Sequence, residues 1–512
     1  MGTSSTPRST PLREYIAKVL AMIGITGLFG WLANYAGIAV ETNQVISVCT
    51  FIVVICTTLF FWQYRLAAAF LGIALLIGTR VFTLKGMLAA TELDIILFLI
   101  GMMTIVGVLK DLGLFTWLIQ TVIRMKRMDG WLFTTILCLL SAVLASVVDE
   151  VTSIVVMLAL VFQVCDTLKL KPAPFVLISV MSTNIGSSAT MLGNPVGVFI
   201  GTKAGFTFGY FLWHATPVAL AALFVTIIVC MVWFRKDIRL MSERMHQHRA
   251  ANEGLSPLFR IPYRRGLVIL IVTVGLIACH HQIEVLLGLV GPGVLPEIAA
   301  QNKNAFLIIT PLIIAGLLML YRPKRARHYI EHEVEWWTLL FFMMLFAVSG
   351  GLEQQGVTEE LANKLNLLVK GGPKAMIPFV LFISAIGSAF VDNIVFVAAF
   401  SPVIQVLQNN DVGYSLLWWA LLFGACFGGN ITAIGSTANI VALGMFEKRY
   451  HQHIGFMEWL KIGSIVGLAT TLVAWGIMTI MPIPHPPGAE EAAAAMEIPA
   501  IEEVAEQPGV DL

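Results

Sequence analysis

Long apolar stretches separated by short polar or basic segments run along almost the whole chain. No run alternates polar and apolar residues as a barrel strand would, so the pattern predicts helices. Apolar runs near 15–36, 44–62 and 66–82 read as three spans, each close to the roughly 20 residues that carry a helix across ~30 Å of hydrocarbon. Then come 94–109, a pair of arms at 131–147 and 151–165, a broken segment at 173–201 and a span at 209–234. After a basic stretch and two more helices, near 266–290 and 304–320, the same order returns: a hairpin at about 375–405, a broken segment at about 415–445 and a last span at 457–480.

The recurrence extends to the residues. Ala145-Ser-Val-Val-Asp149-Glu150-Val-Thr152 returns about 240 residues later as Ser388-Ala-Phe-Val-Asp392-Asn393-Ile-Val395. Asn184-Ile-Gly186-Ser-Ser-Ala-Thr190-Met-Leu-Gly193-Asn194 returns, shifted, as Gly428-Gly-Asn430-Ile-Thr432-Ala-Ile-Gly435-Ser436. Leu109 and Gly113 match Leu352 and Gly356, while Gly209 and Trp213 match Gly455 and Trp459. Internal repeats interrupted at corresponding depths are how a secondary transporter builds one substrate site from two halves.

Basic residues, which favour the cytoplasmic side, set the orientation. Arg8, Arg13 and Lys18 place the N-terminus inside; Arg124, Lys126 and Arg127, then Lys169 and Lys171, return the chain there. Residues 235–265 hold eight Arg or Lys against three acids and read as a cytoplasmic linker, and Arg322, Lys324, Arg325 and Arg327 form a second basic loop. The first copy thus starts outside and the second inside, with Lys370 and Lys374 as outer-side exceptions. The prediction is an all-α polytopic membrane protein with about eleven transmembrane helices plus two re-entrant hairpins in two inverted repeats. Its parts are scaffold helices 1–93, repeat 94–234, linker 235–265, two linking helices and a basic loop 266–335, repeat 336–480 and an acidic, disordered tail 481–512 lying outside. No cleaved signal peptide is expected at the polar start.

Composition agrees with this class. Of 512 residues, 58% are hydrophobic and only 12% charged, too little polar surface to cover a soluble globule. Net charge is +1, which by itself says nothing of nucleic acid, but no basic domain or stripe exists and no nucleic-acid partner is expected; the expected environment is the lipid bilayer of a bacterial inner membrane. Seven cysteines stand singly in apolar segments, read as small core residues and not as a disulfide framework or structural metal site. No cofactor is expected. Trp336-Trp337 and Trp418-Trp419 read as interface anchors, as do His280, His281 and Glu284 near a helix end.

The chemistry concentrates at the hairpin tips and helix breaks. An ionised residue at mid-membrane depth costs roughly 2.5–3.5 kcal/mol on insertion scales, so Asp149, Glu150 and Asp392 are functional candidates by default. Adjacent Asp149 and Glu150 repel when both are charged unless a proton or cation intervenes. Asn, Ser, Thr and Gly at the breaks, Asn184-Ile-Gly186-Ser187-Ser188 and Asn430-Ile-Thr432, suit unwound backbone lining a cavity, where freed carbonyls would ligate a cation and half-helix N-termini an anion.

These motifs, Val148-Asp149-Glu150-Val-Thr152, Asn184 to Pro195, Val391-Asp392-Asn393 and Gly429 to Asn439, resemble those of the ion transporter superfamily, most closely its arsenite-efflux and sodium/proton antiporter branch of ArsB/NhaD-like permeases. The melanosomal P protein and citrate-type dicarboxylate symporters share that scaffold. The resemblance implies a homodimer in which a transport domain carrying both hairpins moves as an elevator against a scaffold domain. It also implies ion- and substrate-binding roles for Asp149, Glu150, Thr152, Asn184, Gly186, Ser187, Ser188, Thr190 and Asn194 from one half. The other half would supply Asp392, Asn393, Asn430, Thr432, Ser436, Thr437 and Asn439. The first tip usually reads Asp-Asn in this branch; Glu150 departs from it and favours cation or proton work. Asn194, where antiporter-like relatives often carry an acid, favours an oxyacid cargo.

The leading expectation is therefore sodium(cation)/proton antiport with a small inorganic ion and a proton as partners. The alternative is proton-coupled efflux of an arsenite-like oxyacid or other small anion. A more distant one is an intramembrane aspartyl protease with an Asp149/Asp392 dyad. No phosphate-binding Gly-x-x-x-x-Gly-Lys-Ser/Thr loop is present, although a separate ATPase partner stays open.

Overall fold

A computed structural model describes residues 12–125, 127–250, 262–289, 304–369 and 372–480, and its regular structure there is entirely helical. The acidic tail, Arg8, Lys126, Lys370 and residues 251–261 of the basic linker lie outside the described residues. Three helices lead in, α1 (Leu12–Tyr35), α2 (Thr42–Phe60) and α3 (Arg65–Gly78), with a short α4 (Leu84–Ala89) behind them.

The first copy runs α5 (Leu93–Asp111), α6 (Leu114–Ile123), α7 (Gly130–Val147), α8 (Glu150–Leu168), α9 (Ala173–Gly186), α10 (Pro195–Ala204) and α11 (Phe208–Trp233). Between the copies lie α12 (Arg235–Ala250), α13 (Arg264–Ala278), α14 (His280–Leu286), α15 (Ala305–Tyr321) and α16 (Pro323–His328). The second copy repeats the order as α17 (Trp336–Gln354), α18 (Val357–Leu368), α19 (Gly372–Phe390), α20 (Asn393–Asn410), α21 (Leu416–Gly428), α22 (Thr437–Tyr450) and α23 (Phe456–Ile480). Even the turn into the second element of each copy is shared: Gly113 and Gly356 open α6 and α18 at φ 73° and 71°, a left-handed conformation that favours glycine.

Side-chain contacts sort the helix ends into two sets. On one side, Lys110 at the end of α5 pairs with Glu333 just ahead of α17 (3.0 Å), and Asp166 near the end of α8 accepts from Arg449 (2.6 Å) and Tyr450 (2.7 Å) at the end of α22. On the other, Lys203 near the end of α10 pairs with Glu92 ahead of α5, and Gln355 beyond α17 donates to the Val81 carbonyl (2.8 Å). Phe206, past α10, stacks on Trp419 near the start of α21 (4.8 Å). Consequently α5 and α17, the opening helices of the two copies, run in opposite directions, and the hairpins α7–α8 and α19–α20 point at each other from opposite sides. That is the inverted arrangement the basic residues predict.

Nine helices among the described residues are long and apolar enough to cross a membrane, with α13 and α14 a further pair bent by 57°. Three of the four hairpin arms, α7, α8 and α19, are among them; 18 residues of α7 amount to about 27 Å of helix. α9, α10, α21 and α22 are shorter because a polar break divides each apolar segment. Every residue of α21 is buried, and all but the first of α9, so these two half-helices form the centre of the molecule. Around them α1, α11, α13, α15 and α23 turn out large apolar side chains such as Leu20, Phe224, Ile271, Leu317 and Leu468, as lipid contact requires.

Two expectations are corrected. Trp418 and Trp419 are buried, not interfacial, because they open the central helix α21; Trp418 Nε1 donates to Gln408 (2.5 Å) and Trp419 packs among Phe206, Phe211 and Phe423. His280 and Glu284 are buried as well: His280 contacts Asn304 (3.2 Å), and Glu284 accepts from the Phe306 N–H (2.9 Å), satisfying the first turn of α15. Within the basic linker, α12 is a packed helix: it buries Ile238, Met241 and Met245, and Ser242 accepts from the Gly130 N–H (2.9 Å) at the root of α7. Charged residues at most other positions of α12 conceal that apolar stripe from composition alone.

Candidate functional site

Each hairpin tip is closed by an aspartate acting as helix cap. Asp149 Oδ1 accepts from the Thr152 N–H (2.8 Å) at the start of α8, and Asp392 Oδ1 from the Ile394 N–H (3.3 Å) at the start of α20. Carboxylates suit helix N-termini, where unpaired amides and the macrodipole favour negative charge. The breaks are built alike. Thr190 Oγ1 donates to the Ser146 carbonyl and Thr432 Oγ1 to the Ala389 carbonyl, each three residues before its aspartate, while accepting from the N–H of Leu192 (3.1 Å) and Ile434 (3.3 Å). Asn194 and Ser436 then cap α10 and α22 through Gly197 (2.8 Å) and Ala438 (3.2 Å). Gly186 and Gly428 let α9 and α21 lie directly on the backbones of Ala142 in α7 and Ala385 in α19.

Because α9 ends at Gly186 and α21 at Gly428, Asn184 corresponds to Cys426, and Asn430 to Ser188. The copies therefore differ where they meet. Asn184 Nδ2 donates to Asn430 Oδ1 and Asn439 Oδ1, both at 2.8 Å, and Asn184 Oδ1 accepts from Ser436 (3.2 Å). Asn439 donates onward to the Gly429 (2.8 Å) and Thr432 (2.9 Å) carbonyls freed by the second break. Asn194 Nδ2 reaches Ser187 (2.8 Å) and Cys426 Sγ (3.2 Å). Ser187 and Ser188 donate to the Asn184 (3.0 Å) and Ile185 (2.8 Å) carbonyls at the end of α9.

Beside this network lies a cavity of about 40 Å³, lined by the acidic residues Asp149, Glu150, Asp392 and Glu335, by Asn194, Asn393, Thr338 and Thr437, and by apolar Phe98, Met102 and Phe342. A water needs roughly 10–15 Å³ on this measure, so the space holds a few waters or a small ion. Thr437 Oγ1 donates to Asp392 Oδ2 at 2.5 Å. Glu150 is 3% exposed; its Oε1 meets Ser436 at a long 3.5 Å, and its Oε2 has no protein partner. A buried carboxyl oxygen left open in this way needs a proton, a water or a cation.

Of the residues predicted from the sequence, Asp149, Glu150, Asn194, Asp392, Asn393 and Thr437 line the cavity. Asn184, Ser187, Asn430, Ser436 and Asn439 form the buried network behind it, whereas Gly186, Ser188, Thr190 and Thr432 shape and satisfy the breaks. Thr152 contributes its backbone N–H to Asp149, and its side chain is not part of the cavity wall. Glu335, Thr338 and, behind Thr338, Arg65 escaped the sequence reading. Glu335 sits in a charged segment that reads as a loop; Arg65 interrupts an apolar run without repeating between the copies.

Over residues 51–424 the sequence matches the citrate transporter (CitMHS) family. The chain belongs to that family. It is 31% identical to an uncharacterized transporter of Mycobacterium tuberculosis over 385 residues, which is 74% of this chain and 84% of that protein. A 46 kDa membrane protein of Mycobacterium leprae is 30% identical over 387 residues, again 74% and 84% of the two chains. The human P protein is 27% identical over 518 aligned positions, covering 85% of this chain and 60% of its own length. Among solved structures, the YdaH transporter of Alcanivorax borkumensis, described as having an unusual topology, superposes over 79% of this chain and 88% of its own with a TM-score of 0.52 at 14% identity, a likeness of fold. This citrate transporter family member is an integral membrane protein and a transporter.

Proposed function

We propose that this family member exchanges a small cation, sodium first, for protons, with Asp149, Glu150 and Asp392 binding the two in alternation and the hairpin-bearing half moving as an elevator. The observation that carries the reading is the convergence of tip carboxyls from both inverted copies on one small cavity, with Glu150 Oε2 lacking any protein partner. Four carboxyl groups cannot all stay ionised together at mid-membrane depth without protons or a cation between them, so filling the site with one expels the other. In this reading the N-terminus is cytoplasmic and the acidic tail external, the protein works as a homodimer in a bacterial inner membrane, and it performs no covalent chemistry.

A second reading draws on the hydroxyl and amide wall of Thr338, Thr437, Asn194 and Asn393, which suits a neutral or anionic cargo: an arsenite-like oxyacid, or citrate, after the family's description. Proteoliposomes loaded with a pH dye separate the two. Sodium or lithium added outside drives lumenal pH change in the antiport reading; a response to arsenite or citrate alone selects the second and overturns the first.

A further inference from the structure

Among the described residues, an arginine from outside both repeats lies directly behind the cavity wall. Arg65 begins α3, yet it is only 3% exposed. Its guanidinium carbon lies 3.8 Å from the centre of the Trp62 ring and 4.8 Å from that of Phe341, a sandwich that suits a weakly hydrated planar cation. Nη2 donates to Thr338 (3.3 Å), a residue of the cavity wall, while Nε and Nη1 have no partner. Asp392, from the second hairpin tip, and Glu335 line the same small cavity as Thr338, so both carboxyl groups face the guanidinium through space without a direct ion pair. Stacking alone accounts for neither the charge nor the two idle donors, because an apolar side chain would fill the slot between Trp62 and Phe341 at lower desolvation cost.

The geometry points to Arg65 as the fixed countercharge of the transport cavity, a positioning residue whose guanidinium offsets the negative charge of Asp392 and Glu335 when the site holds no cation. Arg65 belongs to the lead-in helices and Asp392 to a hairpin, so the attraction spans two parts of the chain that an elevator would move past each other. An arriving cation takes over the compensation and releases the hairpin; a departing one hands it back. The inference rests on the cation/proton reading for its role in turnover, and its electrostatic core stands without it.

Two measurements on the purified full-length protein test it. Thermal melting of Arg65→Gln, Asp392→Asn and the double variant forms a cycle. Each single change leaves one buried charge uncompensated, so the double variant melts well above the sum of the two losses; additive losses overturn the proposal. In proteoliposomes, Arg65→Gln lowers the apparent KM for sodium on the order of tenfold, because the carboxylates hold the cation more tightly, and lowers kcat by slowing release. Arg65→Lys keeps the charge, loses the planar stack and restores KM. A merely structural Arg65 would instead leave KM unchanged in both variants. Absence of sodium-driven flux in the wild type, with the melting cycle still non-additive, sinks the cation reading while the countercharge stands.

Discussion

Asn184 of the first copy and Asn439 of the second are joined side chain to side chain at 2.8 Å, and this hydrogen bond fastens the two helix breaks to each other. The same Asn184 amide nitrogen serves Asn430, and Asn439 in turn serves the Gly429 and Thr432 carbonyls. Asn184→Ala therefore leaves two buried amide oxygens without a donor, and an orphaned buried acceptor costs about 1–3 kcal/mol. Melting in detergent should show a large loss, with transport falling alongside. The control is Ser153→Ala, which removes a buried hydroxyl that has no partner and should shift melting little. Equal behaviour of the two variants would mean that the network does not hold the breaks together.

Gly186→Ala and Gly428→Ala test whether the inverted copies are equivalent in packing as well as in sequence. A Cβ at Gly186 would run into the Ala142 backbone, and one at Gly428 into the Ala385 backbone, neither of which can yield as a side-chain end could. Overpacking of this kind costs about 1–3 kcal/mol or more, so both variants should melt early and by similar amounts. Gly24→Ala and Gly27→Ala, in α1 where an added methyl meets nothing within 4 Å, should be neutral or slightly stabilising. A large loss in only one of the central pair would break the symmetry argument.

Lys203→Met probes the opposite end of the molecule. Glu92, just ahead of the α5 span, titrates above the usual carboxylate range because burial raises it more than the ammonium of Lys203 lowers it. A carboxyl raised in the folded state costs stability while ionised; the cost is full above its folded titration and fades as pH falls towards the ordinary carboxylate value. Removing Lys203 enlarges that cost, by about 1–2 kcal/mol, below the value for a fully buried pair since both side chains keep some contact with water. The melting deficit should thus be clear at pH 7–8 and shrink on acidification. A deficit that grows in acid would reverse the assignment.

Much of this architecture can be read from the chain because lipid imposes few solutions: apolar length gives the helices, basic residues the opposed directions of the two copies, and a repeated Asp followed by a repeated Thr-x-x-Gly gives the tips and breaks. What could not be read depends on pairing across the copies. The motifs put an Asn at each break, Asn184 and Asn430, but do not show that the two are partners in space while the position equivalent to Asn184 holds Cys426. Arg65 and Glu335 lie outside the repeated motifs, and only packing brings them near Asp392. The buried Trp418-Trp419 pair illustrates the same limit: aromatic pairs at helix starts look alike whether they face headgroups or other helices.

The remaining asymmetry between the copies gives the sharpest functional prediction. The second tip reads Asp392-Asn393 and the first Asp149-Glu150, so the cavity carries one more titratable group than two identical tips would supply. Glu150 is buried with one carboxyl oxygen unpaired, which leaves that oxygen to a proton, a water or a cation. Glu150→Asn makes the tips match. The variant should fold, because the Asp149 cap on α8 is untouched and a buried charge has been removed. On the cation/proton reading it should bind cation through Asp149 and Asp392, yet move about one fewer proton per cycle, which a reversal-potential measurement in proteoliposomes reads as a changed coupling ratio. If Glu150→Asn transports with the wild-type ratio and the wild-type pH dependence, the extra carboxyl serves packing alone, and the tip aspartates must carry the coupling by themselves.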